Sequence, residues 1–146
     1  MGAPDMLDKI LTPVLLLICW TFIIMIWLYA TRIPAMRALG IRAGKLKRKG
    51  DLDALPVSAQ QVADNFNHLH EQPTVFYALA FYSQIMGTGD STNVALAWAY
   101  VGLRVAHSLV QCTFNYVPLR FLLFVTSSSM LMAIAVRNLL VLLAAP

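Results

Sequence analysis

Positions 14–30 are apolar with the single exception of Thr21, and Leu11 to Pro13 bring the run close to the ~20 residues that cross a bilayer. Trp27 and Tyr29 near its end suit a membrane interface, and Arg32 and Arg37 close it. Two later stretches, 94–101 and 121–136, are also apolar enough for lipid. Between the first span and position 58 the pattern breaks at Gly40, Gly44, Gly50 and Pro56. Ser58 and Gln61 then fit a capping box, with Val57 and Val62 as its hydrophobic staple. From there Gln60, Asp64, Asn67, Glu71 and Thr74 recur at steps of three or four, so one face of the second helix is polar. Pro73 removes the bond to the Leu69 carbonyl and predicts a kink. The stretch 87–93 reads as a short turn, and 115–118 as another. The pattern therefore predicts an all-α, integral membrane four-helix bundle in one domain over residues 1–146, with helices at about 8–33, 59–86, 94–114 and 119–144.

Composition agrees with that reading. Only 12% of residues are charged, half the ~25% of an ordinary soluble domain. The net charge of +4 is clustered at Lys45, Lys47, Arg48 and Lys49 and does not suggest a nucleic-acid partner. By the positive-inside rule this loop is cytoplasmic, which puts both termini outside. The N-terminal stretch carries Asp5, Asp8 and Lys9 in place of a basic leader, so the first span is expected to be retained. Cys19 and Cys112 fall in apolar segments and suggest packing, and no metal-ligand spacing is visible.

Arg104, His107, Ser108 and Gln111 form a second polar stripe, inside the third helix. Ionisable side chains within a span mark either a functional site or a structural pairing. With this topology Asp64, Asn67, Glu71, Arg104, His107, Gln111 and Arg120, together with Arg32 and Arg37, all fall toward the inner leaflet. Guanidinium groups there suit carboxylates, and Glu71 suits an ammonium. Interhelical pairing of Arg104 with Glu71 or Asp64 would explain the same residues without a ligand. Binding of an anionic lipid headgroup at the basic inner face is a third reading. His68 and His70 suggest solvated or packing residues, and the partner of Arg137 is open.

The segment Arg104-Val-Ala-His107, followed by Pro118-Leu-Arg120, resembles the third helix and following turn of the MAPEG family, the membrane-associated proteins in eicosanoid and glutathione metabolism. It is similar to the microsomal prostaglandin E synthase branch, while Asn65-Phe-Asn67-His-Leu-His-Glu71-Gln-Pro73 resembles the segment of a bacterial-type member. The resemblance implies a homotrimer in a bacterial inner membrane. It also implies a glutathione-dependent transferase or peroxidase-like activity on a lipophilic electrophile, with glutathione as cosubstrate. Asn67, Glu71, Arg104, His107, Gln111 and Arg120 would then bind glutathione, and Arg120 would be the catalytic residue that stabilises its thiolate. Gln111 stands where that branch carries tyrosine, Phe121 where it carries serine, and Asp64 in a region it fills with arginine. A non-enzymatic trimeric scaffold, or a lipid- or partner-binding protein of the same fold, is the alternative.

Overall fold

Ile10, Val14, Leu17, Ile24 and Leu28 recur at steps of three, four and seven, so one stripe of the first helix can be buried while the rest meets lipid. The computed structural model, which describes residues 9–42, 44, 46 and 49–144, follows this pattern. Helix α1 (Leu11–Ala38) buries that stripe and exposes Leu15, Leu16, Phe22, Ile23 and Ile26. Gly40 ends the helix at φ +65, with its N–H donating to Arg37 O and that of Ile41 to Met36 O. This is a Schellman closure, in which glycine takes the left-handed conformation without a Cβ penalty. The helix thus runs a turn and a half past Arg32, beyond the expected end at residue 33. Its expected start at residue 8, together with Asp5, Asp8, Lys45, Lys47, Arg48 and the side chain of Lys49, lies outside the described residues.

A short 3-10 turn (Lys49–Leu52) leads to α2 (Val57–His68). The expected capping box does not form: Pro56 occupies the N-cap and no side chain caps the helix. Its fixed φ already suits a helix entrance, so Val57 becomes the first helical residue and Ser58 falls inside the helix. Gln60 turns away from the polar face and donates to the carbonyls of Asp53 and Leu55 at 2.9 and 2.7 Å, tying the preceding turn to the helix. Helix α3 (Gln72–Ile85) is separated from α2 by Leu69–Glu71, where the expected helix was continuous. Pro73, the second residue of α3, lacks the N–H that a helix start does not use, and so begins a new helix instead of kinking one.

Helix α4 (Ser91–Cys112) is capped by Asp90, whose carboxylate accepts from the Asn93 N–H at 2.8 Å. Helix α5 (Val117–Ala144) lies along α4, while α1 packs on α2 and reaches α4 and α3. The core between them is built from Leu17, Ile24, Phe76, Ala97, Tyr100, Val101 and Ile134. Phe76 and Tyr100 meet with ring centroids 4.6 Å apart. Counting α2 and α3 as one interrupted arm, the chain is an all-helical four-arm bundle. Helices α1 and α5 are each long and apolar enough to cross a membrane. The second arm is broken, and α4 carries its polar residues inward.

At one end the α3–α4 turn is fastened by side chains. A Cβ on Gly89 would come within 3.2 Å of Ile10, so glycine permits this turn to close on the start of α1. Arg137 pairs with Asp90 at 2.6 Å and donates through Nε to Asn93 at 2.8 Å, which supplies its partner. Asn138 accepts from Thr88 and donates to Ser83, both at 2.7 Å.

Candidate functional site

The other end of the bundle brings together the last turns of α1 and α4, the inner face of α2 and the start of α5. Helix α4 ends as Asn115 adopts φ +50 and donates its N–H to Val110 O at 2.7 Å. Asparagine tolerates this left-handed conformation better than most residues. Its side-chain oxygen accepts from Arg120 Nη1 at 2.5 Å, so the residue that turns the chain also holds the first arginine of α5. Arg120 Nε is buried and has no hydrogen-bond partner among the described residues, and the same is true of Arg32 Nε.

These residues line a cavity of about 690 Å³ formed by Arg32, Leu52, Gln61, Asp64, Asn67, His68, Glu71, Gln111, Asn115 and Arg120. A second cavity of about 370 Å³ adjoins it and shares His68, Glu71 and Arg120. Arg104, His107, Val117, Phe121 and Phe124 complete its wall. Val117 and Phe121 are largely exposed, so this chamber has an apolar flank on the outside of the bundle. Both volumes fall in the range of small-molecule sites, ~300–1,000 Å³.

The stripe on α4 is buried throughout, with Arg104, His107, Ser108 and Gln111 each at most 5% exposed. Arg104 donates through Nε to the Tyr100 hydroxyl at 3.3 Å, and its guanidinium carbon lies 5.4 Å from the Phe124 ring centroid. Aromatic faces attract cations and so help to offset the charge's lost hydration. Arg104 pairs with neither Glu71 nor Asp64, against the interhelical pairing considered from sequence. Nor are Arg32 and Arg120 paired with either carboxylate. Glu71 occupies the N-cap of α3, yet its carboxylate caps no backbone N–H.

All the sequence-predicted residues reach this region, though not the same chamber. Asn67 and Gln111 line the larger one, Arg104 and His107 the smaller, and Glu71 and Arg120 both. Of the two arginines left open, Arg32 lines the cavity and Arg37 is exposed outside it. The expected stripe on α2 is partly shifted. Gln60 belongs to the preceding turn and exposed Thr74 bonds the Glu71 carbonyl, while Gln61 and His68 face the cavity.

His68 is half-buried at this site, beyond what its sequence position suggested: its Nδ1 lies 3.1 Å from Gln111 Oε1, and its ring centroid 6.2 Å from that of His107. The spacing 61, 64, 68, 71 fits one helical face as well as the spacing first assigned, and so carried a signal for it. His70, by contrast, is exposed, bonded to the Phe66 carbonyl and set against the Phe66 ring. The sequence marks Asn115 only as the start of a turn, and its hold on Arg120 depends on the conformation that the turn adopts.

No curated protein and no solved structure gives a match to this chain. The family model described as "MAPEG family" matches residues 10–140, which take in nearly all of the bundle and every residue of both chambers. The chain therefore belongs to the MAPEG family, a group of membrane four-helix proteins that includes glutathione transferases.

Proposed function

We propose that the protein is a glutathione-dependent membrane transferase or peroxidase-like enzyme acting on a lipophilic electrophile. The observation that carries this reading is the pair of adjoining chambers, one polar and one with an apolar flank, joined at His68, Glu71 and Arg120. Glutathione is an anionic tripeptide with two carboxylates, an ammonium and a thiol. Arg32 and Arg120 offer guanidinium groups to the anionic parts, and Asp64 or Glu71 offers a carboxylate to the ammonium. Asn67 and Gln111 supply amides to the peptide groups. The tripeptide occupies the polar chamber, and the electrophile enters the one flanked by Val117, Phe121 and Phe124 from the bilayer. Arg120, at their junction, stabilises the thiolate, because a nearby cation favours the anionic form.

In this reading the protein is a homotrimer in a bacterial inner membrane, with its termini outside and the 39–56 connection cytoplasmic. A scaffold that uses these residues only for interhelical pairing is less well supported, because the three arginines and two carboxylates make no pairs with one another.

The test is a thermal-stability titration of the detergent-purified protein with reduced glutathione, beside Arg120→Ala. A ligand that binds only the folded state stabilises it by about 2.7 kcal/mol at a hundredfold excess over its dissociation constant. A saturable rise that the variant loses is expected. No rise at millimolar glutathione rules the reading out, and stabilisation by anionic lipid alone favours the headgroup alternative.

A further inference from the structure

We infer that His68 is the proton acceptor for the thiol bound at the junction of the two chambers, and that Gln111 is its positioning residue. This rests on the glutathione reading above and adds to it the fate of the thiol proton.

Gln111 Oε1 has no hydrogen to give, so its 3.1 Å contact with His68 Nδ1 is a hydrogen bond in the tautomer that carries the ring proton on Nδ1, and this is the tautomer we assign. In a neutral imidazole that leaves Nε2 with its lone pair and no proton. Gln111 is buried in the last turn of α4, so the partner that selects the tautomer is itself held by packing. His68 lines both chambers, as do Glu71 and Arg120, which puts it at the junction that the thiol is proposed to occupy. His107 is a weaker candidate. It lines only the smaller chamber, and no hydrogen bond among the described residues selects its tautomer.

The charges around His68 come from every neighbouring element. Arg32 is presented by α1, Asp64 by α2, Glu71 by the α2–α3 break, Arg104 and His107 by α4, and Arg120 by α5. The guanidinium groups oppose an imidazolium, whereas the carboxylates and the new thiolate favour it. Arg120 and His68 thus act on the two products of ionisation, the arginine holding the anion and the histidine the proton. In the step itself the S–H bond breaks, its electron pair stays on sulfur, and the proton moves to Nε2. The thiolate then forms a C–S bond to the electrophilic carbon. The leaving group departs with its electron pair, and the imidazolium passes its proton to that group or to water.

The probes are reduced glutathione, its S-methyl derivative, which has no thiol proton, and a lipophilic aryl chloride as electrophile. His68→Gln is expected to bind S-methylglutathione as the wild type does, which also shows that the variant is folded. It should lose the thiolate ultraviolet absorbance of bound glutathione. Its kcat at neutral pH should fall about a hundredfold, in the range for losing a general base, with KM little changed. That deficit should close at alkaline pH, where the thiol ionises unaided, a dependence that a merely structural histidine would not produce. Gln111→Leu should show a smaller kcat deficit that likewise closes at alkaline pH, together with a raised KM from the lost amide, and its pH dependence decides the matter should His68→Gln fail to fold.

Unchanged thiolate absorbance and kcat in the histidine variant, with both lost in Arg120→Ala, would overturn the role of His68 and leave the glutathione reading standing. Failure of the wild type to bind either glutathione form would overturn both.

Discussion

The two ends of this bundle use similar residues in opposite ways. At the α3–α4 turn, Arg137 meets Asp90 and Asn93, Asn93 donates to the Thr88 carbonyl, and Asn138 bridges Thr88 and Ser83, all within 2.6–2.8 Å. At the opposite end, Arg32, Arg104 and Arg120 stand beside Asp64 and Glu71 without forming a single ion pair among them. Arg32 Nε and Arg120 Nε are buried with no hydrogen-bond partner among the described residues. Buried polar groups without partners are costly, and most proteins satisfy nearly all of them. The first end shows that this fold can pair such groups when their role is to hold helices together. The unpaired set at the second end is therefore poorly explained as glue, which supports the proposed polar-ligand site.

Substitutions at the two ends should separate these roles. The largest effect is expected from Arg120→Ala, which should abolish the glutathione-dependent rise in thermal stability, about 2.7 kcal/mol at a hundredfold ligand excess. Without ligand its stability should be close to that of the wild type. A large loss in the unliganded state would make Arg120 structural and erase the contrast. Asn138→Ala should do the reverse, because it removes the donor to the buried Ser83 hydroxyl and leaves Thr88 only its longer bond to the Ser83 carbonyl. A cost of about 1–3 kcal/mol follows from leaving a buried hydrogen-bonding group unpaired, visible in thermal unfolding with or without glutathione.

Glu71→Gln should weaken glutathione binding about tenfold, or ~1.4 kcal/mol, if its carboxylate meets the ammonium. Calorimetry with a glutathione analogue lacking the amino group provides the check, since that ligand should not distinguish the variant from wild type. Arg137→Ala should have the smallest effect, ~1 kcal/mol or less, because both partners of its ion pair are substantially exposed. Added salt should reduce that difference further. An effect of several kcal/mol would mean that the pair is the keystone of its end and not one of several ties.

Much of the fold was legible along the chain because lipid imposes a strong pattern. Long apolar runs marked α1 and α5, and the three- and four-residue recurrence of Arg104, His107, Ser108 and Gln111 marked an inward stripe that is indeed buried. Local competition at helix ends was less legible. Ser58 and Gln61 matched a capping pattern, but Pro56 took the N-cap position and Gln61 faces the cavity. The kink expected at Pro73 became a full break, since proline is compatible with a helix start but not with the hydrogen bonds of a helix interior.

The side chains that complete the site divide along the same line. The all-helical membrane architecture, the polar face of α4 and the arginines near one end were already written in the chain's local pattern. Hydrophobic periodicity and the cost of charge in lipid act on each segment separately, so each could be read alone. Packing in three dimensions was needed to choose Arg32 over Arg37 for the cavity and to join His68 to Gln111, forty-three residues away. The same holds for Asn115, which turns α4 while holding Arg120. Those facts depend on how far a helix continues, which rotation about its axis packing selects, and where separate helices bring their ends together. None of these is encoded in the spacing of a single segment.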